Sequence, residues 1–153
     1  MIILKKHKVY LDNCCFNRPY DNQKQERIHL ESLAKLYIQQ QIIDGNISFV
    51  WSFILEYENS QNPHELRKQA ISQFSYRSRE YFDAQNKNAI IRESKGIMDS
   101  GIKAKDSLHI ACAILSSCDY FITTDDKLLK YKTDKIKLTD PVQFVREMEE
   151  NDE

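Results

Sequence analysis

The sequence predicts an α/β domain of three layers, a mostly parallel central sheet flanked by helices. Three observations carry this. Short apolar, β-branched or aromatic runs alternate with helical patterns along the chain. The stretch Asp106–Ser117 is almost continuously apolar and is followed at once by Tyr120-Phe121-Ile122, a buried helix leading into a strand. With 153 residues, 41% hydrophobic and only three Gly and three Pro, the chain has enough material for one core and no linker-like segment.

Taken in order, Val9-Tyr10-Leu11 reads as a strand ending at Asp12. Asn13 to Asn22 contains Arg18-Pro19 and reads as an irregular loop. Gln23 to Ile43 is helical, with Ile28, Leu33, Leu36 and Ile43 on one apolar stripe and Asp44-Gly45 as the stop. Asn46 to Trp51 is a second strand, and Ser52 caps a short helix from Phe53 to Asn59. Asn62-Pro63 opens a further helix through Phe74. Residues 75–87 are polar and tyrosine-rich without a clear period, and Ala89–Met98 is helical. After the strand 120–122, Thr123-Thr124-Asp125-Asp126 turns into a helix carrying Leu128 and Leu129. Ile136-Lys137-Leu138 is the last strand, and Asp140-Pro141 opens an amphipathic helix with Val142, Phe144, Val145 and Met148. Residues 1–146 form a single domain in this reading, with 147–153 as an acidic tail.

No apolar run approaches the roughly 18 residues of a membrane span, and the four-residue apolar start is too short for a secretory signal, so a soluble, cytoplasmic protein is expected. Cys14, Cys15, Cys112 and Cys118 lack any CxxC or Cys/His spacing of a zinc site and read as reduced thiols. Residues 62–105 carry nine basic and five acidic side chains, a balance of +4; residues 106–153 carry six and eleven, a balance of −5. A basic middle suits nucleic acid and suits a solvated face equally well.

Ligands of open parallel sheets bind beyond the carboxyl ends of the strands. Asp12 follows the first strand, Asp125 follows strand 120–122, Asp106 opens the buried helix and Glu56 lies one turn after Ser52. Four carboxylates brought to one edge repel one another, and a hard divalent cation such as Mg²⁺ or Mn²⁺ relieves that repulsion. Such a site suits phosphodiester hydrolysis. Each acid also has a plainer reading as a cap or turn residue. Asp126 competes with Asp125, and Glu58 with Glu56. Asp21, Asp44, Asp119 and Asp140 read as turn or surface groups.

Val9-Tyr10-Leu11-Asp12-Asn13, Lys105-Asp106-Ser107-Leu108-His109-Ile110-Ala111 and Phe121-Ile122-Thr123-Thr124-Asp125 resemble, in order, the three acidic motifs of PIN-domain nucleases. Leu11 to Asp21 is especially similar to one PIN subgroup, and the likeness runs from about residue 8 to 140. The resemblance implies a site of acids binding Mg²⁺ or Mn²⁺ and cleaving RNA, with Asp12, Asp106 and Asp125 as the first, third and fourth acids and Glu56 as the second. It implies that Thr123 orients carboxylates and that Asn13 stands where Thr or Ser is common. A VapC-like toxin role is implied too, with a cognate antitoxin protein as partner and a homodimer as the common assembly. The segment 60–104 is longer than in the smallest such toxins.

Other residues keep two readings. His109, one turn after Asp106, serves as a proton shuttle or as a packing residue. Arg18 contacts phosphate or lies on the surface. Tyr76, Arg77, Arg79 and Tyr81 offer a stacking surface for single strands or pack a connector. Two rivals accompany the ribonuclease expectation: a catalytically silent PIN-like module binding RNA or protein, and a metal-dependent phosphatase.

Overall fold

A computed structural model describes residues 6–151. Its five-stranded sheet is parallel throughout and comprises β1 (His7–Leu11), β2 (Ile47–Ser52), β3 (Glu80–Phe82), β4 (Tyr120–Ile122) and β5 (Lys137–Thr139). The helices are α1 (Asn13–Asn17), α2 (Glu26–Ile43), α3 (Phe53–Ser60), α4 (Glu65–Ser75), α5 (Lys87–Met98), α6 (Ala104–Leu115), α7 (Asp126–Leu129) and α8 (Pro141–Asn151). The α/β class and the parallel sheet expected from the sequence are therefore present. Among the described residues, no helix is long and apolar enough to cross a membrane.

The strand order β3-β2-β1-β4-β5 decides where a ligand can bind. From β1 the chain steps outward to β2 and β3, then crosses back to β4 on the other side of β1. A right-handed return crossover puts α5 and α6 on the face opposite α2, and α5 packs on α6 while α2 packs on α8. The direction reverses between β1 and β4, so a crevice opens at their carboxyl ends. The register there is fixed by Leu11 opposite Ile122 and by the Asp12 amide donating to the Ile122 carbonyl at 2.9 Å.

Burial follows from the central strands. Val9, Tyr10, Leu11, Phe121 and Ile122 are fully enclosed. Tyr10 stacks on Phe121 beneath α6, and Phe16, Phe49 and Phe74 form an aromatic cluster on the other face. All four cysteines are free thiols.

Several expectations need correction. Asn13–Asn22 is not irregular: Asp12 caps α1 through its carboxylate, and a 3₁₀ turn over Arg18–Tyr20 follows, with Pro19 in the first turn where its missing N–H costs nothing. Residues 75–87 contain the edge strand β3, paired with β2. Pro63 precedes α4, which His64 caps without a side-chain bond. The last helix runs to Asn151 into the acidic segment, and Glu147 pairs with Lys137 at 2.7 Å. The apolar start (residues 1–4) and the last two residues of the tail lie outside the described residues.

The buried stripe of α2 also differs. Leu33, Leu36 and Ile43 are exposed, whereas Glu31, Ala34, Lys35, Ile38 and Ile42 face inward. Glu31 can be buried because Arg18 and Arg27 both pair with it. Lys35 lies over the rings of Phe16 and Phe74 and donates to Gln39 Oε1.

Burial pulls the Lys35 ammonium down to about 8. A lysine depressed in the fold binds its proton better in the unfolded chain. Its cost is thus complete below pH 8 and fades as pH rises toward the unfolded value of 10.5. The gap is worth roughly 3 kcal/mol, reduced by the lost ring contacts and the Gln39 bond. Lys35→Met, similar in volume, is expected to stabilise the protein by about 1–3 kcal/mol in urea denaturation at pH 7 and by much less at pH 10. A destabilised variant at pH 7 would show that the ring and Gln39 contacts outweigh desolvation.

Candidate active site

Asp12 ends β1 in an extended conformation, which turns its side chain back over the start of α1. Oδ1 accepts from the Asn13 amide at 2.8 Å, and Oδ2 accepts from Thr123 Oγ1 at 2.8 Å and from the Cys14 thiol at 3.6 Å. Asp12 as a whole is 7% exposed. Thr123, fully buried just beyond β4, also accepts the Asp125 amide at 3.1 Å. One hydroxyl thereby ties the acid after β1 to the backbone of the acid after β4, across the crevice where the sheet reverses.

Asp125 caps α7 by accepting from the Lys127 amide at 2.9 Å, and it lines a cleft of about 220 Å³ together with Asp106, Lys103 and Lys127. Asp126 points elsewhere: Arg27 grips both its oxygens at 2.8 and 3.0 Å and holds its carboxyl below the usual range. Between the two neighbours, Asp125 is the one facing Asp106.

Asp106 lies in the first turn of α6, not at the first residue. Burial pushes its carboxyl up, the charges of Asp12 and Asp125 add to this, His109 opposes it and Glu58 adds a smaller increment. Among the described residues, no lysine or arginine forms an ion pair with Asp12, Asp106 or Asp125.

Glu56 has partners of its own on β2 and β3. Its Oε2 accepts from Trp51 Nε1 at 2.6 Å, and its charge acts on Tyr81 of β3. Glu58 lies two residues on, about 200° around the helix, and pairs with His109 Nε2. From there the bonds run inward: His109 Nδ1 to the Tyr10 hydroxyl at 2.6 Å, then Tyr10 to Ser52 Oγ at 2.6 Å. Burial holds the Tyr10 phenol well above its ordinary pKa, so it remains a donor. Ser52, Tyr10, His109 and Glu58 thus form one continuous chain of hydrogen bonds. Ser52 in turn accepts the Leu55 amide that starts α3, the helix bearing Glu58. His109 therefore orients Glu58 as well as packing α6.

Arg18 is engaged by Glu31 and Asp21. Tyr76 and Tyr81 are exposed, and Arg79 is tied by its amide to the Phe49 carbonyl.

The oxygen-only donors and the unrelieved repulsion around Asp106 fit a hard divalent cation. As placed, no three Asp, Glu, His or Cys side chains among the described residues close into an ion cage. The group is an open edge of carboxylates flanked by clefts. In comparisons with known proteins, no family model matches the chain, and no curated protein matches it.

Proposed function

We propose that this protein is a metal-dependent endoribonuclease of the PIN type, hydrolysing RNA phosphodiester bonds at the edge where β1 and β4 end. The observation that carries the reading is the pairing of Asp12 with Asp125 through Thr123 at the reversal point of the sheet, with the raised carboxyl of Asp106 beside them.

Asp12, Asp106 and Asp125 would hold Mg²⁺ or Mn²⁺. A bound cation supplies charge for the phosphoryl oxygens and an acidified water. Thr123 keeps the Asp12 carboxylate in one orientation. Glu58, held by His109, takes the place expected of Glu56: its carboxylate accepts a proton from the attacking water. Lys103 and Lys127, lining the cleft with Asp106 and Asp125, draw the polyanion in. The toxin reading follows from the motif resemblance and would require an antitoxin protein that covers this edge.

In the proposed hydrolysis water attacks phosphorus and the P–O3′ bond breaks, leaving a 5′-phosphate and a 3′-hydroxyl. End analysis of an RNA cleaved in Mn²⁺ is expected to show these ends. Products carrying 2′,3′-cyclic phosphate would mean attack by the ribose hydroxyl and would contradict the proposal.

The open placement of the carboxylates favours one rival, a module that binds RNA or protein without cleaving. Absence of Mn²⁺ binding in calorimetry together with retained RNA binding would select it.

A further inference from the structure

On the other side of Glu58 lies a second cleft, of about 310 Å³, lined by Asn13, Asn17, Glu58, Asn62, His64 and Arg67 among others. Part of its lining is neutral and held by hydrogen bonds. The Asn17 amide donates to the Asn13 carbonyl at 3.1 Å, Asn62 donates to Asn17 Oδ1 at 3.3 Å, and Asn62 Oδ1 accepts the His64 amide at 3.1 Å. The same lining holds the carboxylate Glu58, proposed above as the proton acceptor, and the cation Arg67.

Arg67 differs from the arginines of α2 and the loop before it. Arg18 and Arg27 are committed to Glu31, Asp21 and Asp126. Among the described residues, Arg67 pairs with no acid. It makes one hydrogen bond, to the Tyr20 carbonyl at 3.3 Å, and lies 5.0 Å from the centre of the Tyr20 ring. Its Nε–H is buried without a partner, a cost that an anionic oxygen in the cleft would remove.

We infer that this cleft is an RNA subsite, in which Arg67 holds the phosphate of a nucleotide neighbouring the cleaved bond and the Asn17–Asn62 amides form an uncharged part of the lining. The inference rests on the ribonuclease reading and adds the direction in which the strand leaves the acids. A neutral stretch of lining lets a phosphodiester chain pass without repulsion, and the stacked guanidinium is pre-organised for a phosphate fork.

The test uses the full chain with a fluorescein-labelled single-stranded RNA. Binding is measured by anisotropy in EDTA at several salt concentrations, and cleavage kinetics are measured in Mn²⁺. Arg67→Ala is expected to weaken binding about tenfold and to reduce the salt slope by about 0.7, one phosphate contact on a single strand. KM rises accordingly, while kcat stays within about threefold. Arg67→Lys keeps the charge and the slope and regains part of the affinity, and it carries the test if the alanine variant melts early through loss of the Tyr20 contact. Wild-type cleavage with unchanged affinity and slope in Arg67→Ala overturns this subsite alone, as does a fall in kcat at constant KM. A wild type that neither binds nor cleaves RNA overturns the ribonuclease reading together with it.

Discussion

Asp106→Asn is expected to abolish metal-dependent RNA cleavage, by about a thousandfold or more, while making the metal-free protein more resistant to heat. The two effects have one cause. Asp106 is partly buried beside Asp12 and Asp125, without a basic partner among the described residues, and its carboxyl is pushed up in consequence. A carboxyl raised in the fold binds its proton more tightly there than in the unfolded chain. Its favourable contribution is therefore present at acid pH and is lost as pH rises from the ordinary 3.8 through the raised folded value. At neutral pH the charge is a cost, which the isosteric amide removes along with the ability to bind a cation. Mn²⁺ is expected to raise the melting temperature of the wild type and to leave the variant unmoved. A variant that melts lower than the wild type without metal would show that Asp106 has a structural role the repulsion argument overlooks.

The second large effect separates two glutamates of one helix. Glu58→Gln is expected to lower kcat about a hundredfold, because the amide cannot accept a proton from water, with little change in KM. Glu56→Gln is expected to stay within about threefold of wild type, since the Glu56 carboxylate is already bonded to Trp51. Its measurable consequence is a loss of about 1 kcal/mol in stability from the weakened indole bond. The opposite order in kcat would restore Glu56 as the second acid and remove Glu58 and His109 from the site.

These residues also mark how far the sequence could be read. Asp12 was legible because it directly follows a short apolar triplet, and Asp125 because only Thr123 and Thr124 separate it from another; an acid just beyond a strand has one place to go in a parallel sheet. Thr123 was legible as their hydroxyl neighbour. The choice between Glu56 and Glu58 was not legible, because it depends on the rotation of α3. Ser52 sets that rotation by capping Leu55, and His109 fixes it from another helix. The clue available beforehand was His109 itself, one turn from Asp106 and in need of a polar partner.

The face of α2 was misread for a related reason. Glu31 and Lys35 are buried through Arg18, Arg27 and the rings of Phe16 and Phe74, partners that no helical period reveals. Arg18 was open between a phosphate contact and a surface residue, and its place in the loop does not reveal that Glu31 and Asp21 pair with it. Strand β3 escaped notice because three residues at a sheet edge carry almost no alternation of their own.

The most direct test of the account is to incubate the purified protein with labelled RNA in Mn²⁺ or Mg²⁺, beside an EDTA control and the Asp12→Asn and Asp106→Asn variants. The account predicts cleavage by the wild type that stops with EDTA and is lost in both folded variants. Cleavage that persists in EDTA or in either variant would contradict it, as would intact RNA with a folded wild type that binds no metal.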